Sequence, residues 1–142
     1  MKDSISYVFN QIANGFWINL EKMMSEIGLH AGQIFVLTSL WENDGQSQAE
    51  LVRSLQVSPP TIYNMTVRMV EAGFVETKKC AKDARLIRVY LTEKGSEIKP
   101  KVEEQWLKLE ESMFSDLSET ERLMFSLLLK KIKNRNLTSV SP

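Results

Sequence analysis

Apolar residues recur at steps of three and four from Ile5 through Val8, Phe9, Ile12, Phe16, Leu20 and Met23 to Ile27, which predicts a helix over residues 4–27. Phe16, Trp17 and Ile18 stand side by side, so this helix is apolar on more than one face and is expected to pack against more than its own core. Gly28 breaks the pattern, and Leu29–Trp41 predicts a second helix with Ile34, Phe35, Leu37, Leu40 and Trp41 turned inward. Glu42-Asn43-Asp44-Gly45 reads as a turn.

Ser47-Gln48-Ala49-Glu50 is a capping box that opens a short helix to Leu55, with Leu51, Val52 and Leu55 inward. Gln56 falls where the next turn needs left-handed backbone. Ser58 caps a further helix, and Pro59 at its first position gives up an amide that has no partner there. Ile62, Met65, Met69 and Val70 form its apolar stripe, leaving Thr61, Tyr63, Asn64 and Arg68 on other faces, and Gly73 ends it. Two short helices joined by a turn of about three residues have helix-turn-helix spacing. Phe74–Lys79 and Leu86–Leu91 follow as the strands of a hairpin with a basic tip.

Thr92 caps a long helix through Phe114, striped by Ile98, Val102, Trp106, Leu109 and Met113, in which Pro100 should only kink the beginning. Ser118-Glu119-Thr120-Glu121 is a second capping box. It starts a last helix carrying Leu123, Met124, Leu127, Leu128 and Ile132, with Lys130, Lys131, Lys133 and Arg135 near its end, and the tail from Asn136 is expected to fray. The fold class is therefore mainly α with a small β-wing. At 142 residues the chain is expected to be one domain. Residues 28–95 form its winged helix-turn-helix part, and residues 1–27 and 96–142 are apolar enough to be dimerisation helices.

Charge sharpens this picture. The whole chain balances 18 basic against 18 acidic side chains, yet residues 46–95 hold eight basic and five acidic ones, mostly in the hairpin. A helix with a polar face beside a basic hairpin points to DNA, whereas a mild basic excess alone is also what a solvated surface looks like. The start of the chain lacks the apolar core of a signal peptide, and no run approaches a membrane span, so a cytoplasmic location without membrane contact is expected. One cysteine and one histidine make neither an intramolecular disulfide nor a zinc site. No metal, no cofactor and no catalytic residues are expected, and no glycine-rich phosphate loop or nucleophile elbow suggests an enzyme.

The order of elements and several motifs resemble the multiple antibiotic resistance regulator (MarR) family over about residues 4–135. Lys82-Asp83-Ala84-Arg85, followed by Leu91-Thr92-Glu93-Lys94-Gly95, resembles the family's Asp-x-Arg wing tip and its Leu-Thr-x-x-Gly entry into the next helix. Val57-Ser58-Pro59-Pro60-Thr61-Ile62 and Glu71-Ala72-Gly73-Phe74-Val75 resemble the start and end of its recognition helix. A basic residue is common in the family at the place of Asn64, and an acidic one at Val67.

The resemblance implies a homodimer whose first and last two helices interlock. Each recognition helix then enters a major groove of double-stranded DNA at an inverted repeat, and each wing reaches an adjacent minor groove. It also implies a regulator, in the first instance a repressor, released by a small aromatic or phenolic effector. Arg85 at the wing tip suits a narrow minor groove, and Asp83 is expected to hold its guanidinium. Lys78, Lys79, Lys82 and Arg88 are expected on phosphates, as are Arg68 and Arg53. Ser58, Pro59, Pro60, Thr61, Tyr63 and Asn64 lie where the helix reaches base edges, and Asn64 can pair bidentately with adenine. Phe16, Trp17, Met23, His30 and Trp41 are the candidates for an effector pocket. Two alternatives remain beside this reading: a winged helix that binds protein instead of DNA, and a redox response at Cys80, which follows two lysines that favour its thiolate.

Overall fold

The computed structural model describes the backbone of residues 1–139 and the side chains of residues 1–135. The chain divides into two compact units, Met1–Trp106 and the residues from Leu107 onward.

In the first unit, α1 (Ile5–Ser25) is capped by Ser4, whose side chain accepts the Tyr7 N–H. Its N-terminal half leaves Ile5, Val8, Phe9 and Ile12 exposed, while Leu20 and Met24 are fully buried. Helix α2 (Ala31–Glu42) runs through the core, burying Ile34, Val36, Leu37 and Leu40. Both capping-box bonds of Ser47 form, at 2.7 Å to Glu50 and 3.1 Å back from it, and they start α3 (Gln48–Leu55). Gln56 takes φ 54°, the left-handed turn anticipated for it. Helix α4 (Pro59–Glu71) then starts at Ser58, whose side chain accepts the Thr61 N–H.

The buried face of α4 differs from the predicted stripe. Ile62 and Met69 are buried and Met65 half-buried, but Val70 is 41% exposed and Thr66 is buried in its stead. At 3.6 residues per turn Thr66 sits about 40° from Ile62 and Val70 about 80°. The Thr66 hydroxyl donates to the Ile62 carbonyl at 2.7 Å, so a polar side chain enters the core without an unpaired group.

The sheet has three strands rather than two. Strands β2 (Val75–Lys79) and β3 (Ile87–Leu91) pair antiparallel from Val75–Leu91 to Lys79–Ile87. A two-residue β1 (Gln46–Ser47) adds to the far edge of β3, giving the order β1-β3-β2. Two residues are too few for alternation to announce a strand.

Thr92 caps α5 (Glu93–Glu97), and Ile98 separates it from α6 (Lys99–Phe114). Ile98 keeps helical backbone, donating to the Lys94 carbonyl and accepting the Val102 N–H, each at 3.1 Å, so the irregularity next to Pro100 is the early kink expected there. Gly95 is buried where a Cβ would collide with the Phe74 carbonyl oxygen, so backbone meets backbone at this point of the Leu-Thr-x-x-Gly motif. Trp41 Nε1–H donates to the Gly95 carbonyl at 2.9 Å, which ties α2 to the same spot. Phe16, Trp17, Phe35 and Trp106 form an aromatic cluster of stacked and edge-to-face pairs, with centroids 5.5–6.2 Å apart.

In the second unit, Ser118 and Glu121 complete their capping box, and α7 (Glu119–Ser139) continues past Asn136, where the sequence predicts a frayed tail. Residues 140–142 of that tail lie outside the described residues. Arg122 forms a bidentate pair with Glu111 and also donates to the Phe114 carbonyl, closing the turn between α6 and α7. Leu123, Met124, Leu127, Leu128 and Ile132 are all more than half exposed. No helix of the described residues is long and apolar enough to cross a membrane.

Candidate nucleic-acid interface

The wing is built on the β2–β3 register. Beyond the last pair, Cys80 N–H donates to the Leu86 carbonyl at 2.8 Å and Leu86 N–H to the Asp83 carbonyl at 3.0 Å, so residues 80–86 fold into a tight tip. Lys82, Asp83, Ala84 and Arg85 are all exposed on it. Asp83 Oδ1 accepts the backbone N–H of Arg85 at 3.0 Å. The carboxylate therefore shapes the turn, and the expectation that it clasps the guanidinium is corrected. At two residues' separation the amide lies nearer than the end of a long side chain. Among the described residues the side chains of Lys79, Lys82 and Arg85 have no partner. Lys78 instead pairs with Glu76 at 3.1 Å and lies over the Tyr90 ring.

Arg88 was expected on phosphate, yet its guanidinium is committed inside the wing. Nη1 donates to the Gly45 carbonyl at 2.9 Å, Nε to Cys80 Sγ at 3.4 Å, and Glu50 is 3.6 Å away. These bonds join the hairpin to β1 and the start of α3. They also act on the thiol: Arg88, with the backbone N–H groups of Lys82 and Asp83, brings the Cys80 pKa down from 9.0 to about 7. The two lysines before Cys80, named from the sequence, are not the cause.

On α4, Pro59, Pro60, Thr61, Tyr63, Asn64 and Arg68 are exposed, as is Ser58 before them. Thr61 shares its hydroxyl with Ser58 at 2.7 Å. The side chains of Tyr63, Asn64 and Arg68 make no bond within the described residues. Arg53, in the last turn of α3, is exposed, and its charge acts on Glu50 of the same helix.

A cavity of about 380 Å³ opens beside this helix, lined by Trp17 of α1, by His30, Gly32 and Gln33 at the start of α2, and by Thr61, Asn64, Met65 and Arg68 of α4. Of the five effector candidates it gathers Trp17 and His30. Phe16 is turned to Trp106, Trp41 is held by Gly95, and Met23 is not in the lining. The α4 side chains were missed because the sequence shows a helix's faces but not which neighbour each face meets.

His30 is positioned by α1. Glu21 Oε1 lies 2.7 Å from His30 Nδ1, and Oε2 accepts the Ala31 N–H at 2.7 Å. Glu21 thereby caps α2 from another helix. That amide first, and His30 second, hold the Glu21 carboxyl below its ordinary 4.5.

An exposed polar face on the second helix of a helix-turn-helix, with a cationic hairpin beside it, is the architecture of the winged helix-turn-helix class. Residues 29–87 match the model of the MarR family. The chain is 21% identical to the HTH-type transcriptional regulator BilQ of Clostridium symbiosum, over 93% of this chain and 92% of that protein. It is 29% identical to the HTH-type transcriptional repressor IacR of Pseudomonas putida, over 72% of this chain and 62% of that one. A MarR transcriptional regulator of Methanosarcina mazei superposes with a TM-score of 0.88 at 25% identity, covering 94% of this chain and 96% of its own. BpsR of Bordetella bronchiseptica, whose DNA binding is regulated by 6-hydroxynicotinic acid, shares the fold, with a TM-score of 0.84 at 18% identity over 94% and 95% of the two chains. Over residues 29–87 the chain is thus similar in sequence to the MarR family of transcription regulators, and it shares the fold of MarR regulators over most of its length.

Proposed function

We propose that the protein is a homodimeric repressor in the cytoplasm that binds a pseudo-palindromic operator and releases it when a small aromatic acid binds. The observation that carries the DNA reading is the wing tip, where Lys79, Lys82 and Arg85 stand exposed and unpaired beside the open face of α4. Arg85 enters the minor groove, Asn64 and Thr61 read base edges in the major groove, and Lys79, Lys82, Arg53 and Arg68 hold phosphates.

Dimerisation is supported by two apolar faces. Ile5, Val8, Phe9 and Ile12 on α1, and separately Leu123, Met124, Leu127, Leu128 and Ile132 on α7, are 41–88% exposed, and such rows of exposed apolar side chains on a helix favour a partner surface. In this reading residues 1–27 and 96–142 serve the dimer and residues 28–95 the DNA.

The cavity beside α4 suits an anionic ring. Trp17 and Met65 offer apolar surface, Arg68 a bidentate partner for a carboxylate, and Gln33 and Asn64 polar groups for a ring substituent. The hydroxylated acid that regulates BpsR has this chemistry. Repression is supported by the role named for IacR.

The test is a binding titration with the DNA upstream of the protein's own gene. Half-sites about 10–11 bp apart, bound by a dimer with affinity falling steeply in salt, are expected. Failure of every genomic fragment to outcompete random DNA at low salt would exclude the operator reading.

A further inference from the structure

The outward side of α4 carries an apolar ridge among its polar residues. At 3.6 residues per turn Pro60, Tyr63 and Val67 fall within about 60° of one another. Pro60 and Val67 lie roughly 140–160° round the helix from the buried Ile62, so they face away from the core. All three are exposed, Tyr63 by 55% and Val67 by 39%, and no hydrogen bond or ring contact holds Tyr63 among the described residues. One exposed valine is ordinary, but three apolar side chains in a row on the second helix of a helix-turn-helix make a contact surface. Its surroundings select the partner. Arg53 on α3 and Lys79, Lys82 and Arg85 on the wing are exposed cations of the same unit, whereas the exposed Glu71 ends the helix. An anionic partner is therefore favoured at the first turns of α4 and disfavoured at its last. Double-stranded DNA is anionic along its rim, and in its major groove the thymine C5-methyl is an apolar group presented on a base edge.

We propose that Val67, flanked by Pro60 and Tyr63, is a specificity-determining residue that reads thymine by its 5-methyl group. Apolar contact, and not hydrogen bonding alone, then sets the base preference of α4. This rests on α4 being the major-groove helix, as proposed above, and not on the roles given there to Asn64 or Arg68. The branched side chain of Val67 meets the thymine methyl at van der Waals distance, about 3.5–4.0 Å. Cytosine at the same place has no methyl, and its N4–H donor faces a side chain with no acceptor.

The methyl group can be removed without touching any hydrogen bond. The experiment selects bound sequences from a random duplex library with the full-length protein, then replaces each thymine of the selected site by deoxyuridine. That exchange deletes the C5-methyl and keeps every donor and acceptor of the base edge. Affinities are measured by fluorescence anisotropy at one salt concentration, so that the phosphate contribution is common to all duplexes. Val67→Ala is measured on the same set; it shortens an exposed side chain and raises helix propensity, so the fold is kept, and its melting temperature verifies this.

The expected result is a thymine at which deoxyuridine weakens wild-type binding about fourfold, the worth of one buried methyl, and roughly 15-fold when it is replaced in both half-sites of a dimer-bound operator. Val67→Ala should lose a similar factor on the thymine duplex and lose nothing more when that thymine becomes deoxyuridine. Wild-type affinity that is indifferent to deoxyuridine at every position overturns the methyl reading and leaves DNA binding standing. So does a deoxyuridine penalty that Val67→Ala retains in full, because another side chain then holds the methyl. If the library yields no sequence that outcompetes random duplex, the major-groove role of α4 falls, and the methyl reading falls with it.

Discussion

Asp83 accepts the backbone N–H of Arg85 at 3.0 Å and leaves the Arg85 guanidinium without a partner among the described residues. The pair thus divides its labour, one side chain shaping the wing tip and the other reaching outward. Arg85→Ala is expected to weaken operator binding by roughly 10- to 100-fold, the size of a lost arginine contact, with the dimer intact. Asp83→Ala should cost less, since the Leu86–Asp83 backbone bond still closes the turn. Anisotropy titrations rank the two variants, and equal affinity of Arg85→Ala and wild type would remove Arg85 from the interface.

Unpaired and committed cations should separate in their response to salt. Lys82→Ala is expected to lower the slope of log affinity against log salt by about 1 for each protomer bound. Arg88→Ala should leave that slope unchanged and lower the melting temperature instead, because its guanidinium serves Gly45 and Cys80. A drop in slope for Arg88→Ala would return this residue to the phosphate contacts.

The bonds to Cys80 also make a chemical forecast. Its thiol titrates at about 7 rather than 9.0, so iodoacetamide alkylation should rise with pH through a midpoint near 7. Replacing Arg88 by glutamine should carry that midpoint upward. An unshifted midpoint in the variant would show that Arg88 is not what lowers it.

Glu21 carries a pH dependence of known sign. Its folded pKa is depressed by the Ala31 amide and by His30, so the stability it contributes is present above the ordinary value of 4.5 and is lost as pH falls through the lower folded value. Glu21→Gln should therefore melt below wild type at neutral pH, and the gap should close in acid. Melting curves from pH 3 to 7 check this, and a gap that widens in acid would contradict it.

Gly95→Ala should destabilise the fold severely, by several kcal/mol, because its Cβ meets the Phe74 backbone oxygen and no side chain can swing aside. The Trp41–Gly95 bond would be displaced by the same shift. Thermal denaturation measures the loss, and a stability near wild type would mean the backbone has room to part.

Local physics was legible along the chain. Capping boxes at Ser47 and Ser118, the prolyl start of α4, the left-handed Gln56 and the hairpin all depend on residues within a few positions of one another, and each stands where the sequence put it. So does the winged helix-turn-helix order, since the spacing of short amphipathic pieces leaves few ways to bury their stripes. What distant segments do to each other was not legible. Strand β1 exists because Gln46 and Ser47 meet β3 some forty residues on, and Glu21 caps α2 only because two helices cross there. Arg88 and Asp83 look like DNA contacts in a list of charges; the folded hairpin gives each a nearer partner. The cavity is set the same way, by three helices whose separate patterns say nothing of their meeting. Sequence alone determined which elements form and which charges the wing bears, because those follow from neighbours in the chain. Tertiary structure decided which of those charges are free to bind and what faces the recognition helix, because that depends on neighbours in space.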